Sequence, residues 1–178
     1  QIVALLDKGI SAKQIINKKS IENAIRLSTA VGGSTNVALH IPAIAYEADC
    51  EIEMDLFEEL CRTTPHIAKM NPAAAPNLPD FHAVGGVPAV MKQILPLLHR
   101  EALTVTGKSV SDNVKDAADP DNLIIRALDD PWSAEGGLAV LKGNLAPNTA
   151  ITKPAAIHPD MHHFTGRARC FDTEEAAN

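Results

Sequence analysis

The hydrophobic period of the chain changes near Asp119-Pro120-Asp121, and this change limits the possible folds more than any other feature. Before it, apolar residues recur at the spacing of an α-helix, for example at Ile21, Ala24 and Ile25. After it, short apolar runs are separated by Gly, Pro and Asn, which is typical of β-strands joined by turns. The sequence therefore predicts two domains: a mainly helical one over residues 1–120 and a β-rich one over residues 121–178.

The predicted strands are short. So few short strands have little to pack against, and we therefore expect the second part to be an incomplete β-rich unit within a mixed α/β fold class. A further short strand is predicted in the first part, followed by a helix that Ser109 or Ser111 caps. The predicted strands are residues 123–125, 138–141, 150–152 and 168–171 in the second part and residues 103–106 in the first.

Three predicted helices of the first part matter for the site. Ser20 is expected to cap a helix that ends at Gly32-Gly33, and a second helix is expected to follow at once from Ser34. Because residues 37–45 are apolar nearly all round, we expect this second helix to be buried. A third, amphipathic helix is predicted over residues 55–62.

The composition excludes several classes of protein. Of the 178 residues, 46% are hydrophobic, a share too high for a disordered tail. The net charge of −6 argues against non-specific binding of nucleic acid or of an anionic membrane surface, because both need a basic field. The apolar runs are shorter than the ~20 residues of a membrane span. Three widely spaced cysteines suit a reducing compartment rather than a disulfide framework.

The segment Gly32 to Asn36, Gly-Gly-Ser-Thr-Asn, is the most informative for function. Its glycines allow a close approach of the backbone, and the next residues offer hydroxyl, amide and free N–H groups at a helix start. This arrangement suits an anion such as a carboxylate or a phosphate. The alternative is structural, with the end of one helix followed by the cap of the next. Two further Gly-Gly pairs, at 85–86 and 136–137, are interpreted as boundaries between secondary-structure elements rather than as a repeat.

No metal site is predicted. His158 and His162 have the spacing of a helical metal pair, but Pro159 and the polar surroundings indicate a loop. The cysteines include no Cys-x-x-Cys pair and form no recognisable zinc or iron–sulfur motif. Carboxylates are plentiful, but spacing alone places no pair for acid–base chemistry. The residues themselves therefore identify no catalytic group and no metal ligand.

Five segments, in the same order, together resemble the IlvD/Edd dehydratase family, and they extend over nearly the whole chain. The first contains Val-Gly-Gly-Ser-Thr-Asn and the second Asp-Phe-His-Ala-Val-Gly-Gly-Val-Pro-Ala-Val-Met-Lys. Five segments in register are far more specific than any one of them. They are residues 23–25 with 31–36 and 39–40, residues 80–92, residues 103–109, residues 136–138 and residues 141–147.

The resemblance implies both a fold and an activity. It implies the end of a mainly helical α/β N-terminal domain, followed by the start of a β-rich, barrel-like C-terminal domain. Family members remove water from a 2,3-dihydroxy acid to give a 2-keto acid. An iron–sulfur cluster acts as Lewis acid on the leaving hydroxyl, and Mg²⁺ helps to hold the substrate. The chain is thereby expected to be a fragment of a hydro-lyase, a 2,3-dihydroxy-acid dehydratase of valine and isoleucine biosynthesis.

The resemblance also implies what the chain lacks. In the family, the cluster and metal ligands lie upstream of the Gly-Gly-Ser-Thr-Asn segment, and the serine base lies downstream of it. The resemblance implies that neither region is among these 178 residues. We therefore expect the fragment to bind neither the cluster nor Mg²⁺ and to be inactive alone. No cluster ligand is carried over to Cys50, Cys61 or Cys170.

The expected role of the matched segment is to bind the substrate. The implied substrate-binding residues present N–H and hydroxyl donors to the carboxylate of a small dihydroxy acid. They are Gly33, Ser34, Thr35 and Asn36.

The resemblance further implies a homodimer when the protein is full length, and a cytoplasmic location, or an organellar one in a eukaryote. Neither a nucleic acid nor a membrane is expected as a partner. Two alternatives stay open: a sugar-acid dehydratase of the same family, and a truncated, non-enzymatic association module. In the second alternative the apolar helix at 37–45 or the helix at 88–98 forms the interface.

Overall fold

A computed structural model describes residues 1–178, apart from the side chain of Pro159. It has the mixed α/β character that the sequence predicts, with short helices and one small sheet. The α-helices are α1 (Ile2–Asp7), α2 (Ala12–Ile15), α3 (Lys18–Ala30), α4 (Val37–Glu47), α5 (Met54–Arg62), α6 (Leu78–Ala83), α7 (Gly86–Gln93), α8 (Val110–Val114) and α9 (Glu174–Ala177). The strands are β1 (Ala139–Leu141) and β2 (Ala150–Thr152).

The sheet is a single antiparallel pair. Val140 of β1 lies opposite Ile151 of β2, with Ala139 opposite Thr152 and Leu141 opposite Ala150. Two of the predicted strands are thereby confirmed. None of the helices in the described part of the chain combines the length and apolar character that a membrane crossing requires.

Helix α3 begins earlier than predicted, and its cap is Asn17 rather than Ser20. The Asn17 side chain accepts hydrogen bonds from the backbone N–H groups of Lys19 and Ser20, at 3.0 and 3.3 Å. The Ser20 hydroxyl in turn accepts from the Asn17 N–H at 3.0 Å. This reciprocal pair is a capping box, in which the serine is the third helical residue. The prediction chose the wrong member of the pair.

The buried residues form two clusters, and α3 contributes to both. The first includes Ala30 with Ile67 and Ile125, and the second includes Ile25 with Leu138. Residues beyond position 120 therefore pack against helices that precede it. The division into domains at 1–120 and 121–178 stays a prediction.

The prediction that α4 is buried is wrong. Ala45 is buried, but Leu39 and Tyr46 are 68% and 70% exposed. Val37 and Ile41 are partly buried against the second cluster. An apolar composition all round gives a helix no preferred face, so the sequence alone cannot determine which side is covered.

Three other predicted strands are wrong: two of them are each reduced to one isolated bridge, and the third is irregular. Residues 103–106 form a turn, in which Leu103 makes an isolated bridge to Ser109. In residues 123–125, Ile125 alone bridges to Ala68. Residues 168–171 are irregular, with Phe171 beneath the guanidinium of Arg169 at 5.0 Å. A strand needs a neighbouring strand, which these runs lack in the described structure.

Two predictions for the helices are confirmed. Ser109 caps α8, because its hydroxyl accepts from the backbone N–H of Asp112 at 3.1 Å. The amphipathic helix predicted at 55–62 is α5, which buries Phe57, Leu60 and Cys61.

Candidate substrate site

An extended segment, residues 64–69, crosses the end of α3 and brings His66 to the Gly32-Gly33 turn. The N–H groups of Ile67 and Ala68 both donate to the carbonyl oxygen of Ala30, at 2.9 and 3.1 Å. On its other side the His66 N–H donates to the Ser133 carbonyl at 3.0 Å. His66 is therefore fixed from both sides, and only 2% of it is exposed.

Gly32 has to be a glycine for two reasons. Its φ of +58° lies in the left-handed region, and a Cβ atom would stand 2.7 Å from Nε2 of His66. Gly137 also approaches this turn, because a Cβ there would lie 2.4 Å from the Cα of Gly32. The Gly137 N–H donates to the Thr29 carbonyl at 3.0 Å. The Gly-Gly pair at 136–137, interpreted from the sequence as a boundary between elements, thus packs directly against the Gly32-Gly33 pair.

Ser34, Thr35 and Asn36 follow this fixed turn and are exposed. The Ser34 hydroxyl accepts from the Asn36 N–H at 3.3 Å, and the carbonyls of Ser34 and Thr35 receive the first N–H groups of α4. Within the described residues, the N–H groups of Ser34 and Thr35 have no intrachain acceptor. Two free donors at the start of an eleven-residue helix favour an anion.

These residues open into a cavity of about 870 Å³. Its polar lining includes Ser34, Thr35, His66 and Lys153, and Gly33 also lines it. The N–H of Gly33 already donates to the Ser28 carbonyl at 2.8 Å. Asn36, the fourth predicted substrate residue, is not among the lining residues. The apolar lining comes from Val31, Met70, Ala73, Leu78, Pro79 and Ala155.

The electrostatics of the cavity are those of an anion site. No Asp or Glu of the described chain lines it, and no carboxylate lies within 4 Å of the Lys153 ammonium. Burial and, to a smaller extent, the charges of Lys69 and Lys153 together lower the pKa of His66 to about 4, against a hydrogen bond with the backbone of Ala68 that raises it. His66 is thus neutral at pH 7, and lysine supplies the positive charge.

Sequence reasoning found the loop but missed His66 and Lys153. His66 lies 30 or more residues beyond the glycines, and Lys153 is in the β-rich part. No local pattern links them to the loop. The one available signal in the sequence was the glycine pair at 136–137. In the structure this pair packs closely against Gly32 and thereby brings the β-rich part of the chain near the loop.

The side chains of these residues do not fit an iron–sulfur cluster. Cys61 is buried and shares a hydrogen bond with Thr29 at 3.1 Å, while Cys50 is half-buried and Cys170 is exposed. Burial raises the pKa of the Cys61 thiol, which disfavours the thiolate that binds iron. No group of three or more His, Cys, Asp or Glu side chains in the described chain could hold a metal ion.

Comparison with known sequences places the chain in a family of lyases. Residues 1–113 match the sequence model of the dihydroxy-acid/6-phosphogluconate dehydratase N-terminal domain, and residues 123–178 match that of the C-terminal domain. The chain belongs to the dihydroxy-acid/6-phosphogluconate dehydratase family.

Individual relatives narrow the resemblance within this family. The chain is 46% identical to a dihydroxy-acid dehydratase of Ignicoccus hospitalis over 99% of its own length and 32% of that protein. It is 44% identical to a dihydroxy-acid dehydratase of Acetivibrio thermocellus, with the same coverage. It is 43% identical to one of Methanococcoides burtonii, over 99% of the chain and 33% of that protein. The chain thus spans about a third of the length of the relatives it matches.

Proposed function

We propose that these residues form part of a 2,3-dihydroxy-acid dehydratase and that Ser34 and Thr35 bind the carboxylate of its substrate. The observation that carries the proposal is the placement of both residues, with Lys153, on one cavity that no carboxylate of the described chain lines. The relatives that match over the whole chain are named dihydroxy-acid dehydratases, and this supports the reaction class.

Each part of the cavity has a role in this proposal. The free N–H groups and hydroxyls of Ser34 and Thr35 donate to the carboxylate, and the ammonium of Lys153 balances its charge. The apolar wall, which includes Val31, Met70 and Leu78, receives the aliphatic end of the acid. Gly33 and Asn36 act through the shape of the loop, since the Asn36 N–H is bound by Ser34.

The cofactors belong to the proposal for the complete protein. We propose that residues outside these 178 hold an iron–sulfur cluster and Mg²⁺, because the side chains present do not fit either group. The chain alone is then inactive. The proposal also includes the domain division near residue 120, a homodimer, a role in valine and isoleucine synthesis, and a cytoplasmic or organellar location.

The test is substrate choice by the natural full-length protein. Release of 2-keto acid is measured with 2,3-dihydroxyisovalerate and with D-gluconate at matched concentrations. We expect turnover of the branched acid to be at least tenfold faster, because its alkyl end fits the apolar wall, and Asn71 and Asn77 are the only amide side chains in the lining that could pair with the extra hydroxyls of a sugar acid. Faster turnover of gluconate would favour a sugar-acid dehydratase instead. An absence of keto acid from both substrates would contradict the proposal.

A second candidate, the association module, rests on one observation. Helix α4 exposes Leu39, Ile44 and Tyr46, at 68%, 48% and 70%. Replacing Leu39 and Tyr46 by Lys should dissociate such an assembly in light-scattering measurements. A dimer with no dehydratase activity, which these changes dissociate, would favour the module over the enzyme.

A further inference from the structure

A second cavity of about 650 Å³ lies behind His66, next to the candidate substrate site. His66, Ala73 and Ala155 line both cavities, so the two are neighbours that share one wall. The second cavity also has Lys69 and Trp132 in its lining, together with the imidazoles of His158 and His162. None of these four side chains lines the first cavity.

The second cavity has a surplus of positive charge and hydrogen-bond donors. The ammonium of Lys69 lies 4.7 Å from the centre of the Trp132 ring, and the guanidinium of Arg126 lies 3.6 Å from it. No carboxylate of the described residues lies within 4 Å of Lys69, and none lines the cavity. The charge of Arg126 is balanced only by Asp130, at 3.8 Å.

Two buried donors of the same cluster have no acceptor. Nε of Arg126 and Nε1 of Trp132 are enclosed without a hydrogen-bond partner in the described chain, and of these two residues only Trp132 lines the second cavity. Because both atoms are enclosed, they offer an ion in the cavity no direct hydrogen bond, and the charge of Arg126 acts on the cavity only through space. The chain carries 22 acidic residues against 16 basic ones, yet none of the acids is placed to neutralise this cluster fully.

We propose that the second cavity is a phosphate site, centred on Lys69 and distinct from the carboxylate site at Ser34 and Thr35. The compact charge of a lysine ammonium suits a tetrahedral oxyanion, which needs no planar, bidentate partner. The imidazoles of the same lining supply further N–H donors. Its volume accommodates free orthophosphate or the phosphate group of a small ester.

Among the imidazoles, His158 is the one with a competing partner. Its Nδ1 lies 3.6 Å from the Asp160 carboxylate, which does not line the cavity. His66 contributes as a neutral ring, because its pKa is lowered to about 4. The full positive charge that draws phosphate is therefore that of Lys69, and this residue is the one to change.

The test is a calorimetric titration of the natural full-length protein with inorganic phosphate. We expect saturable binding that Lys69→Gln weakens at least fivefold. Lys115→Gln removes the same charge from an exposed position that lines neither cavity, and it should leave the affinity unchanged. Lys153→Gln, in the first cavity, should weaken phosphate binding less than Lys69→Gln does.

Three results would overturn the proposal. The first is an absence of saturable phosphate binding, and the second is equal affinity in Lys69→Gln and the parent protein. The third is a larger loss in Lys153→Gln, which would place the ion in the substrate cavity. A parallel titration with glycerol 3-phosphate distinguishes the source of the phosphate group. Tighter binding of the ester supports an ester ligand, and tighter binding of orthophosphate supports the free ion.

Discussion

The two halves of the segment from Gly32 to Asn36 have opposite environments. Gly32 and Gly33 are held against His66, Ser28 and Gly137 at distances that leave no room for a side chain. Ser34, Thr35 and Asn36 are exposed, and two of them face a cavity. The contrast suits the binding role that we propose for this segment: tight packing on one side holds the backbone, and the other side keeps its donors free.

Among the substitutions considered for this segment, we expect the largest loss of stability at Gly32. Gly32→Ala should lower the free energy of unfolding by about 3–4 kcal/mol, because positive φ costs about 1–2 kcal/mol and the contact with His66 adds strain. Urea unfolding of the chain, followed by the fluorescence of Trp132, measures this loss.

Gly9→Ala is the matched control for Gly32→Ala. Gly9 has a similar φ of +66°, but a Cβ atom there would meet nothing within 4 Å. We expect this change to lower the free energy of unfolding only by the cost of a positive φ at alanine, about 1–2 kcal/mol. Equal losses at the two glycines would show that the packing against His66 contributes nothing.

The second prediction concerns pH and again tests the fixed half of the loop. His66 has a pKa of about 4 in the folded protein, below the ordinary value of 6.5. The unfolded chain therefore takes up the proton first as the pH falls, and stability declines between pH 6.5 and 4 while remaining unaffected above this range. The expected loss from this residue is about 3 kcal/mol.

The slope of unfolding free energy against pH measures this effect. His66→Gln should flatten the slope between pH 6.5 and 4, whereas His40→Gln, at an exposed position on α4, should not. An unchanged slope in His66→Gln would contradict the prediction, because it would mean that the pKa of this imidazole is the same in the folded and unfolded states.

These two predictions also show which features sequence patterns can and cannot reveal. The end of α3 before the glycines, the amphipathic helix α5 and the donors at Ser34 and Thr35 follow from local signals, because turns and amphipathic spacing lie within a few residues. The same kind of signal places the start of α3 at the wrong residue of its capping box. The positions of His66 and Lys153 depend on hydrogen bonds from Ala30 to residues 67–68 and on the packing of Gly137 against Gly32. Contacts over such separations leave no periodic trace.

The exposed face of α4 shows a different limit. An apolar run predicts burial only if another surface covers it, and within the described residues the apolar side chains of Leu39 and Tyr46 lack that cover. By contrast, α5 has apolar and charged residues on opposite faces, and it buries apolar residues of one face, Phe57, Leu60 and Cys61. A directional pattern is therefore a better guide than total hydrophobicity.

The third prediction tests the open half of the loop. Lys153→Gln in the natural full-length protein should raise KM for 2,3-dihydroxyisovalerate about fivefold, an effect of about 1 kcal/mol from a half-exposed charge. Steady-state kinetics measures it. Lys115→Gln should leave KM unchanged, and an equal rise in both variants would indicate an effect of net charge alone.

The smallest effect is expected for stability at Ser34. Ser34→Ala removes an exposed acceptor of the Asn36 N–H and should change the free energy of unfolding by less than about 0.5 kcal/mol. Asn17→Ala removes a true cap from α3 and should cost about 1 kcal/mol in the same urea titration. A larger loss at Ser34 than at Asn17 would return the loop to a capping role.

The most direct test of the carboxylate site combines kinetics with stability in one variant. The double change Ser34→Ala and Thr35→Ala removes both hydroxyls from the cavity while leaving the Gly32-Gly33 turn intact. In the natural full-length protein we predict that KM for 2,3-dihydroxyisovalerate rises about tenfold, the value of one hydrogen bond to a charged group, with an unchanged unfolding midpoint. An unchanged KM with a lowered midpoint would contradict the binding role and show that the segment only joins two helices.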